Sequence, residues 1–168
     1  MYQNKDHTNQ KHIVTKSNNI DISNQKSLSE IAKRISNLIQ RGDNFFLFGQ
    51  IGVGKTTFVK FLINHLQSIY NINTTEVLSP TFNILNDYLI NDFNIKHYDL
   101  YRIKQTEELD NIGLFEDKDA INIIEWPETV KISSVKFIKF EFSYSKDYKK
   151  RHLIISSNYN NNIVNEFK

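Results

Sequence analysis

Cysteine is absent from this chain, which rules out a disulfide framework, a thiolate nucleophile or a cysteine-held metal. Alanine occurs only as Ala32 and Ala120, while asparagine, isoleucine and lysine abound, a bias of base composition that also weakens helix propensity. No apolar run approaches the length of a bilayer span, and the start Met1-Tyr2-Gln3-Asn4-Lys5-Asp6 carries no signal-peptide core. The expectation is a cytoplasmic protein with no membrane association. Charge of one sign is lacking too, since Lys+Arg 21 against Asp+Glu 19 leave a formal net charge of +2. That balance gives no electrostatic case for a nucleic-acid surface.

Glycine is scarce, with Gly 5 in 168 residues, yet Gly49, Gly52 and Gly54 fall within one short stretch. The stretch Gly49-Gln50-Ile51-Gly52-Val53-Gly54-Lys55-Thr56-Thr57 has the G-x-x-x-x-G-K-[ST] pattern of a phosphate-binding P-loop. Before it, Asn44-Phe45-Phe46-Leu47-Phe48 reads as a buried strand. After it, Phe58, Phe61, Leu62, His65, Leu66 and Ile69 recur at helical spacing. A strand, a glycine loop and a helix start aim several backbone N–H groups at one anion. Lys55 then reaches the β and γ phosphates and Thr56 holds magnesium, so ATP with Mg²⁺ is the expected cofactor pair.

The chain is the size of one domain with a core large enough to fold alone. Residues 1–12 are polar and aperiodic and read as a mobile tail; residues 13–168 read as a single P-loop ATPase domain, with a first strand somewhere in Ile13 to Ile22. Ser27-Leu28-Ser29-Glu30 has capping-box spacing and starts a helix along Leu28, Ile31, Ile35, Leu38 and Ile39, for which Gly42 offers a C-cap. Val77 to Phe82 reads as a short strand entering a proline turn, and residues 83–90 and 93–98 read as a hairpin about Asn91-Asp92. Gln105 to Asn111 is a short acidic helix closed by Gly113, and Ile121 to Glu125 is a buried strand with an acid at its end. Val135 to Phe142 and Leu153 to Ile155 alternate and form a terminal hairpin. The alternation of strands and helices predicts an α/β fold, a P-loop NTPase-like domain with a mixed sheet flanked by helices.

P-loop proteins commonly place a second acid at the end of a strand beside the P-loop strand, where it binds magnesium, and Glu125 fits that placement. Asp99 competes for the role, as an acid that polarises water, sits behind the metal, or caps the turn before Leu100. Thr81 follows Ser79-Pro80 and is placed either to touch magnesium or the γ-phosphate, or to complete an ordinary Ser-Pro turn. His97 shares a strand face with Asp99, where an ordering hydrogen bond is favoured over metal ligation. Trp126 is either a core aromatic or a shield over the nucleotide. Lys149, Lys150 and Arg151 read as a solvated hairpin tip.

Taken with the P-loop, the runs Ser79-Pro80-Thr81-Phe82, His97-Tyr98-Asp99-Leu100-Tyr101-Arg102 and Ile124-Glu125-Trp126-Pro127 make residues 20 to about 130 resemble the TsaE family of small bacterial ATPases. The resemblance implies an ATP-hydrolysing accessory subunit for N6-threonylcarbamoyladenosine at position 37 of tRNAs reading A-starting codons. It would act on a TsaD–TsaB complex, downstream of the donor made by TsaC, and meet tRNA only through that complex. By motif, Gly49, Gln50, Ile51, Gly52, Val53, Gly54, Lys55, Thr56 and Thr57 would bind ATP, and Thr56 with Glu125 would hold magnesium. Lys55, Thr81, Asp99 and Glu125 would serve hydrolysis, Trp126 would lie near the nucleotide, and the segment before the first helix around Gln25 would approach the base. Gln50, Ile51, Val53 and Asn83 depart from the residues common in the family, but a cradle of backbone N–H groups tolerates such changes.

Three rivals remain at this level. A small-molecule or nucleotide kinase shares the P-loop, but it commonly needs an arginine-rich lid, and arginine stands only at Arg34, Arg41, Arg102 and Arg151. A GTPase would carry an Asn-Lys-x-Asp base-reading motif, which is missing. A nucleotide-dependent binding module would dock a partner with hydrolysis incidental.

Overall fold

The computed structural model describes residues 14–168, so the expected tail, residues 1–12, lies outside the described residues. The chain runs β1 (Thr15–Lys16), β2 (Ile20–Asp21), α1 (Gln25–Ser36), β3 (Asn44–Phe48), α2 (Lys55–Ile69), β4 (Leu85–Ile90) and β5 (Phe93–Asp99). It continues with α3 (Glu108–Asn111), β6 (Ile121–Glu125), β7 (Ile138–Tyr144), β8 (Arg151–Ser157) and α4 (Asn161–Asn165), with 3₁₀ turns at Pro127–Thr129 and Ile132–Ser134. All strands join one mixed sheet in the order β1-β8-β7-β3-β6-β5-β4, with β2 also on β8. The strands β5, β6, β3 and β7 are mutually parallel, while β4 and β8 run antiparallel at their flanks.

Side-chain alternation gives the sheet two covered faces. Phe45 and Leu47 of β3 pack with Leu28, Ile31 and Ile35 of α1 and with Phe58, Leu62 and Leu66 of α2. Phe46, from the same strand, faces the other way, toward Tyr98, Ile124, Leu100, Ile103 and Leu109. Every residue of β6 is buried, as in a central parallel strand, and this explains its isoleucine-rich sequence, Asn122 included. The α/β architecture with helices on a mixed sheet is as the sequence predicts.

Three local readings are corrected. The first helix begins after Asn24, whose side chain accepts from the Lys26 N–H, rather than at the Ser27 capping box. It ends at Ser36, and Gly42, with φ 78°, serves a later turn instead of capping the helix. The stretch Val77 to Phe82 is not a strand but a loop running into a turn, because the sheet edge at β4 is formed by the residues that follow. Beyond the readings above, α4 adds Ile163 and Val164 to the core from an asparagine-rich segment.

Opposite the P-loop end of the sheet, Asp43 sits buried just before β3 and accepts from the Gln40 N–H at 2.8 Å and from the Tyr159 hydroxyl. Burial raises the Asp43 carboxyl above its ordinary value while the Tyr159 bond opposes that rise. A raised acid favours the folded state when protonated, so its contribution fades as pH climbs through its folded value. Tyr159→Phe removes the opposing donor and leaves a buried oxygen without a side-chain partner. The expected loss is about 1–3 kcal/mol in urea unfolding, larger at neutral pH than in mild acid. A deficit that does not grow toward neutral pH would contradict the assignment.

Candidate phosphate and metal site

The parallel strands deliver the chemistry at their C-terminal ends, where open α/β sheets bind ligands. β3 ends in the P-loop, β5 ends at Asp99 and β6 ends at Glu125, with Asp99 and Glu125 in register as direct neighbours. On the face toward α2, β5 carries Ile95, His97 and Asp99, and β6 carries Ile121, Ile123 and Glu125. Each strand thus changes from apolar to ionisable as it reaches the site.

The loop itself needs its glycines. At Gly49, with φ 140°, a Cβ would stand 2.6 Å from the Phe142 carbonyl oxygen, so no larger residue fits against β7. Gly54 caps α2 at φ 120° without any side-chain cap hydrogen bond, leaving the first-turn N–H groups to an anion. Val53 is wholly buried and anchors the loop to the core. Lys55 Nζ donates to the Gly49 and Gln50 carbonyls at 2.6 and 3.1 Å and lies 3.7 Å from the Trp126 ring centroid.

Glu125 organises the other side of the site. Thr56 Oγ1 donates to its two carboxylate oxygens at 2.8 and 3.0 Å, and His97 Nε2 lies 2.9 Å from Oε1. Since a carboxylate only accepts, Nε2 is the protonated ring nitrogen, and His97 Nδ1 is left buried with no partner. His97 is therefore an ordering residue, as its strand position suggests. Asp99 Oδ2 accepts from Ser79 Oγ at 2.9 Å and Thr81 Oγ1 at 2.6 Å, and its Oδ1 accepts from the Tyr101 N–H at 3.0 Å. Asp99 thus caps the turn before Leu100, one of its alternative sequence readings, and also pins the Ser79–Thr81 loop, which the sequence did not suggest. The loop is fixed further by Ile84 N–H to the Pro80 carbonyl at 2.5 Å and Asp99 N–H to the Ile84 carbonyl at 3.0 Å.

These side chains line one cavity of about 390 Å³ that holds Lys55, Thr56, Thr57, Thr81, Asp99, Glu125 and Trp126, with Ile51, Gly52 and Gly54. Gly49 and Gln50 bound a neighbouring cavity, and Val53 lies beneath the loop. Trp126 closes the site from a left-handed backbone position, φ 57°, which a bulky residue adopts only under constraint from the fold. Its ring packs edge-on to Tyr101 at 5.0 Å. Gln25 is placed differently from the sequence reading: it is the first residue of α1 rather than part of the segment before it, and it does not line the cavity. Ser79 and Tyr101 were given no site role from sequence, although both lie within runs that carried the family resemblance. Among the described residues, no helix is long and apolar enough to cross a membrane.

Hard oxygen donors suit magnesium, which takes one or two protein ligands and fills its shell with water and phosphate oxygens. The Thr56 hydroxyl and the Glu125 carboxylate, already within 3.0 Å of each other beside the P-loop, fit that demand. Burial pushes the Lys55 ammonium below the usual lysine range, and the Glu125, Glu128 and Asp99 carboxylates pull it back up. Removing the largest of those charges with Glu125→Gln lowers the Lys55 titration further, so Lys55 loses its proton at a lower pH. An NMR titration of Nζ reads this directly, and an unmoved midpoint would contradict the electrostatic coupling.

A model of the family described as Threonylcarbamoyl adenosine biosynthesis protein TsaE matches residues 22–153. A protein of Rickettsia typhi named tRNA threonylcarbamoyladenosine biosynthesis protein TsaE is 36% identical over 114 residues, 66% of this chain and 74% of that protein. The protein of the same name from Haemophilus influenzae is 31% identical over 125 residues, 73% of this chain and 76% of its own length. The one from Rickettsia felis is 35% identical, and the match spans only 63% of that relative. The crystal structure of Bacillus subtilus YdiB shares the fold with a TM-score of 0.69 at 21% identity, covering 93% of this chain and 96% of that one.

Proposed function

The chain belongs to the TsaE family, and we propose that it binds and slowly hydrolyses ATP with magnesium as an accessory subunit in forming N6-threonylcarbamoyladenosine at position 37 of tRNAs reading A-starting codons, acting on a TsaD–TsaB complex. The observation that carries this reading is the Thr56 hydroxyl hydrogen-bonded to the Glu125 carboxylate at the mouth of a P-loop. A P-loop alone would hold phosphate; the paired acid and hydroxyl add a place for the cation that accompanies it.

In this reading the free N–H groups of the loop and the first turn of α2 cradle the phosphates, and Lys55 leaves the Gly49 and Gln50 carbonyls to reach them. Thr56 and Glu125 hold magnesium, and His97 keeps the Glu125 carboxylate aimed. Magnesium, when bound, neutralises charge on the phosphate oxygens and fixes their orientation. Asp99 orients a water while Ser79 and Thr81 hold its carboxylate in place. Trp126 covers Lys55 and limits water there.

Arginine that completes such sites is often supplied in trans and contributes on the order of 10³ to 10⁵ in rate. Arg102, next to the Asp99 turn, is exposed and does not line the cavity, so weak hydrolysis alone and a change on docking are expected. With a net charge of +2, the chain meets tRNA through the complex and not by itself.

Phosphate release from Mg-ATP by the purified chain, alone and with TsaD and TsaB added, tests this. Slow release that rises with the pair, and falls by about 10²-fold or more in Lys55→Ala, is the expected result. A pair that neither binds nor alters release would overturn the accessory role.

A further inference from the structure

The end of the sheet opposite the P-loop holds a separate cavity. Its volume is about 220 Å³, and Asn44, Phe115, Asp117, Lys118, Asn122 and Lys136 stand in its lining. None of its lining residues borders the phosphate cavity. One wall is fixed by backbone contacts: the Gly42 N–H donates to the Asp119 carbonyl at 3.1 Å, and a Cβ on Gly42 would stand 2.8 Å from the Lys118 carbonyl oxygen. Phe115 supplies an apolar side, its ring centroid 6.2 Å from that of Phe46.

Asn122 lies at the floor of this cavity, 3% exposed, and pairs in register with Asn44 of β3. Asn44 Nδ2 donates to the Gly42 and Lys136 carbonyls at 3.3 and 3.1 Å, which turns its Oδ1 toward Asn122. Asn122 Nδ2 donates to that oxygen at 2.8 Å. Both amides are thereby oriented, because flipping Asn122 would set two oxygens against each other and flipping Asn44 would set its oxygen against two carbonyls. Asn122 Oδ1 is then buried with no donor. A buried acceptor left unpaired is costly, and one on a residue that lines a cavity calls for a donor from outside the chain.

The rim has a different character. Lys118 and Lys136 are both exposed, and among the described residues neither ammonium pairs with an acid. Asp117, beside them, has its carboxylate committed: Oδ1 accepts from the Asp119 and Ala120 N–H groups at 3.1 and 3.2 Å, and Oδ2 accepts from Asn94 Nδ2 at 3.0 Å. A ligand that suits this place brings a hydrogen-bond donor to the floor and negative charge to the rim. An ammonium is a poor donor here, since it would be buried on one acceptor beneath two lysines, whereas a hydroxyl satisfies that acceptor without charge. The volume lies below the range that drug-sized ligands fill and suits a molecule of a few heavy atoms. We infer that this cavity binds a small hydroxy acid, whose hydroxyl donates to Asn122 Oδ1 and whose carboxylate lies between the Lys118 and Lys136 ammonium groups. The site joins the starts of β3 and β6 and does not depend on the ATP reading.

Side-chain amide NMR spectra of the full chain test this site when titrated with glycerate, with propionate, which lacks the hydroxyls, and with glycerol, which lacks the charge. Glycerate moves the Asn122 amide resonances with a midpoint on the order of 1 mM, as so small a ligand permits. Propionate and glycerol bind about tenfold more weakly, the worth of one hydrogen bond or one charge contact. The paired surface change Lys118→Ala with Lys136→Ala, which keeps the Lys136 carbonyl that Asn44 uses, lowers glycerate to the level of glycerol. Glycerate that moves nothing at about ten times its expected midpoint overturns the site and leaves Asn122 Oδ1 to water. Propionate binding as tightly as glycerate overturns the contact to Asn122. Glycerol binding as tightly, or a lysine variant that binds glycerate unchanged, overturns the carboxylate contact at the rim.

Discussion

The Glu125 carboxylate is the constraint on which the rest of the site depends. A buried acid is costly unless its oxygens are satisfied, and here a hydroxyl from α2 and an imidazole from β5 both point at it. The arrangement requires the β5–β6 register as it stands, with Asp99 opposite Glu125 and His97 opposite Ile123. A slip of one residue would turn Glu125 to the other face of the sheet and bury it among Phe46, Tyr98 and Leu100 without a donor. The apolar halves of β5 and β6 therefore fix the chemistry: packing Ile95, Ile121 and Ile123 against the helical layer sets where the acids emerge.

The same economy governs the loops. Gly49 is squeezed against β7, so the P-loop start is held by the strand that also carries Tyr144 to its flank. Asp99 binds the Ser79–Thr81 turn to the end of β5, and Trp126 leaves β6 in a left-handed turn that lays its ring over Lys55. The segments following β3, β5 and β6 are thereby tied to one cavity, and the groups proposed to meet phosphate and metal are ordered by neighbours.

Much of this was legible because local signals agreed. The strand, glycine loop and helical spacing around residues 44–69 fixed one another, and an acid ending the isoleucine-rich stretch Ile121 to Ile124 had few other placements. The failures share a cause in tertiary context. Asn24 and Ser27 are both competent caps, and the choice fell to Asn24 where the chain leaves the β8 edge, with Ser23 Oγ accepting from the Arg151 N–H. Val77 to Phe82 has strand-like residues but forms no strand, since Asp99 and the Pro80 carbonyl draw it into a turn. The asparagines of α4 argue against a helix, and Ile163, Val164 and Phe167 in the core override them. Contacts such as Lys55 on Trp126 join residues far apart in the chain, and spacing carries no signal for them.

The most direct test of the account is the effect of Mg²⁺ on ATP affinity, measured by calorimetry with and without the ion, for the unmodified chain and for Glu125→Gln. The account predicts that magnesium tightens ATP binding in the unmodified chain and that this gain disappears in the variant, while binding of ATP without the ion persists. A gain of equal size in both proteins would contradict it, placing the cation away from Glu125.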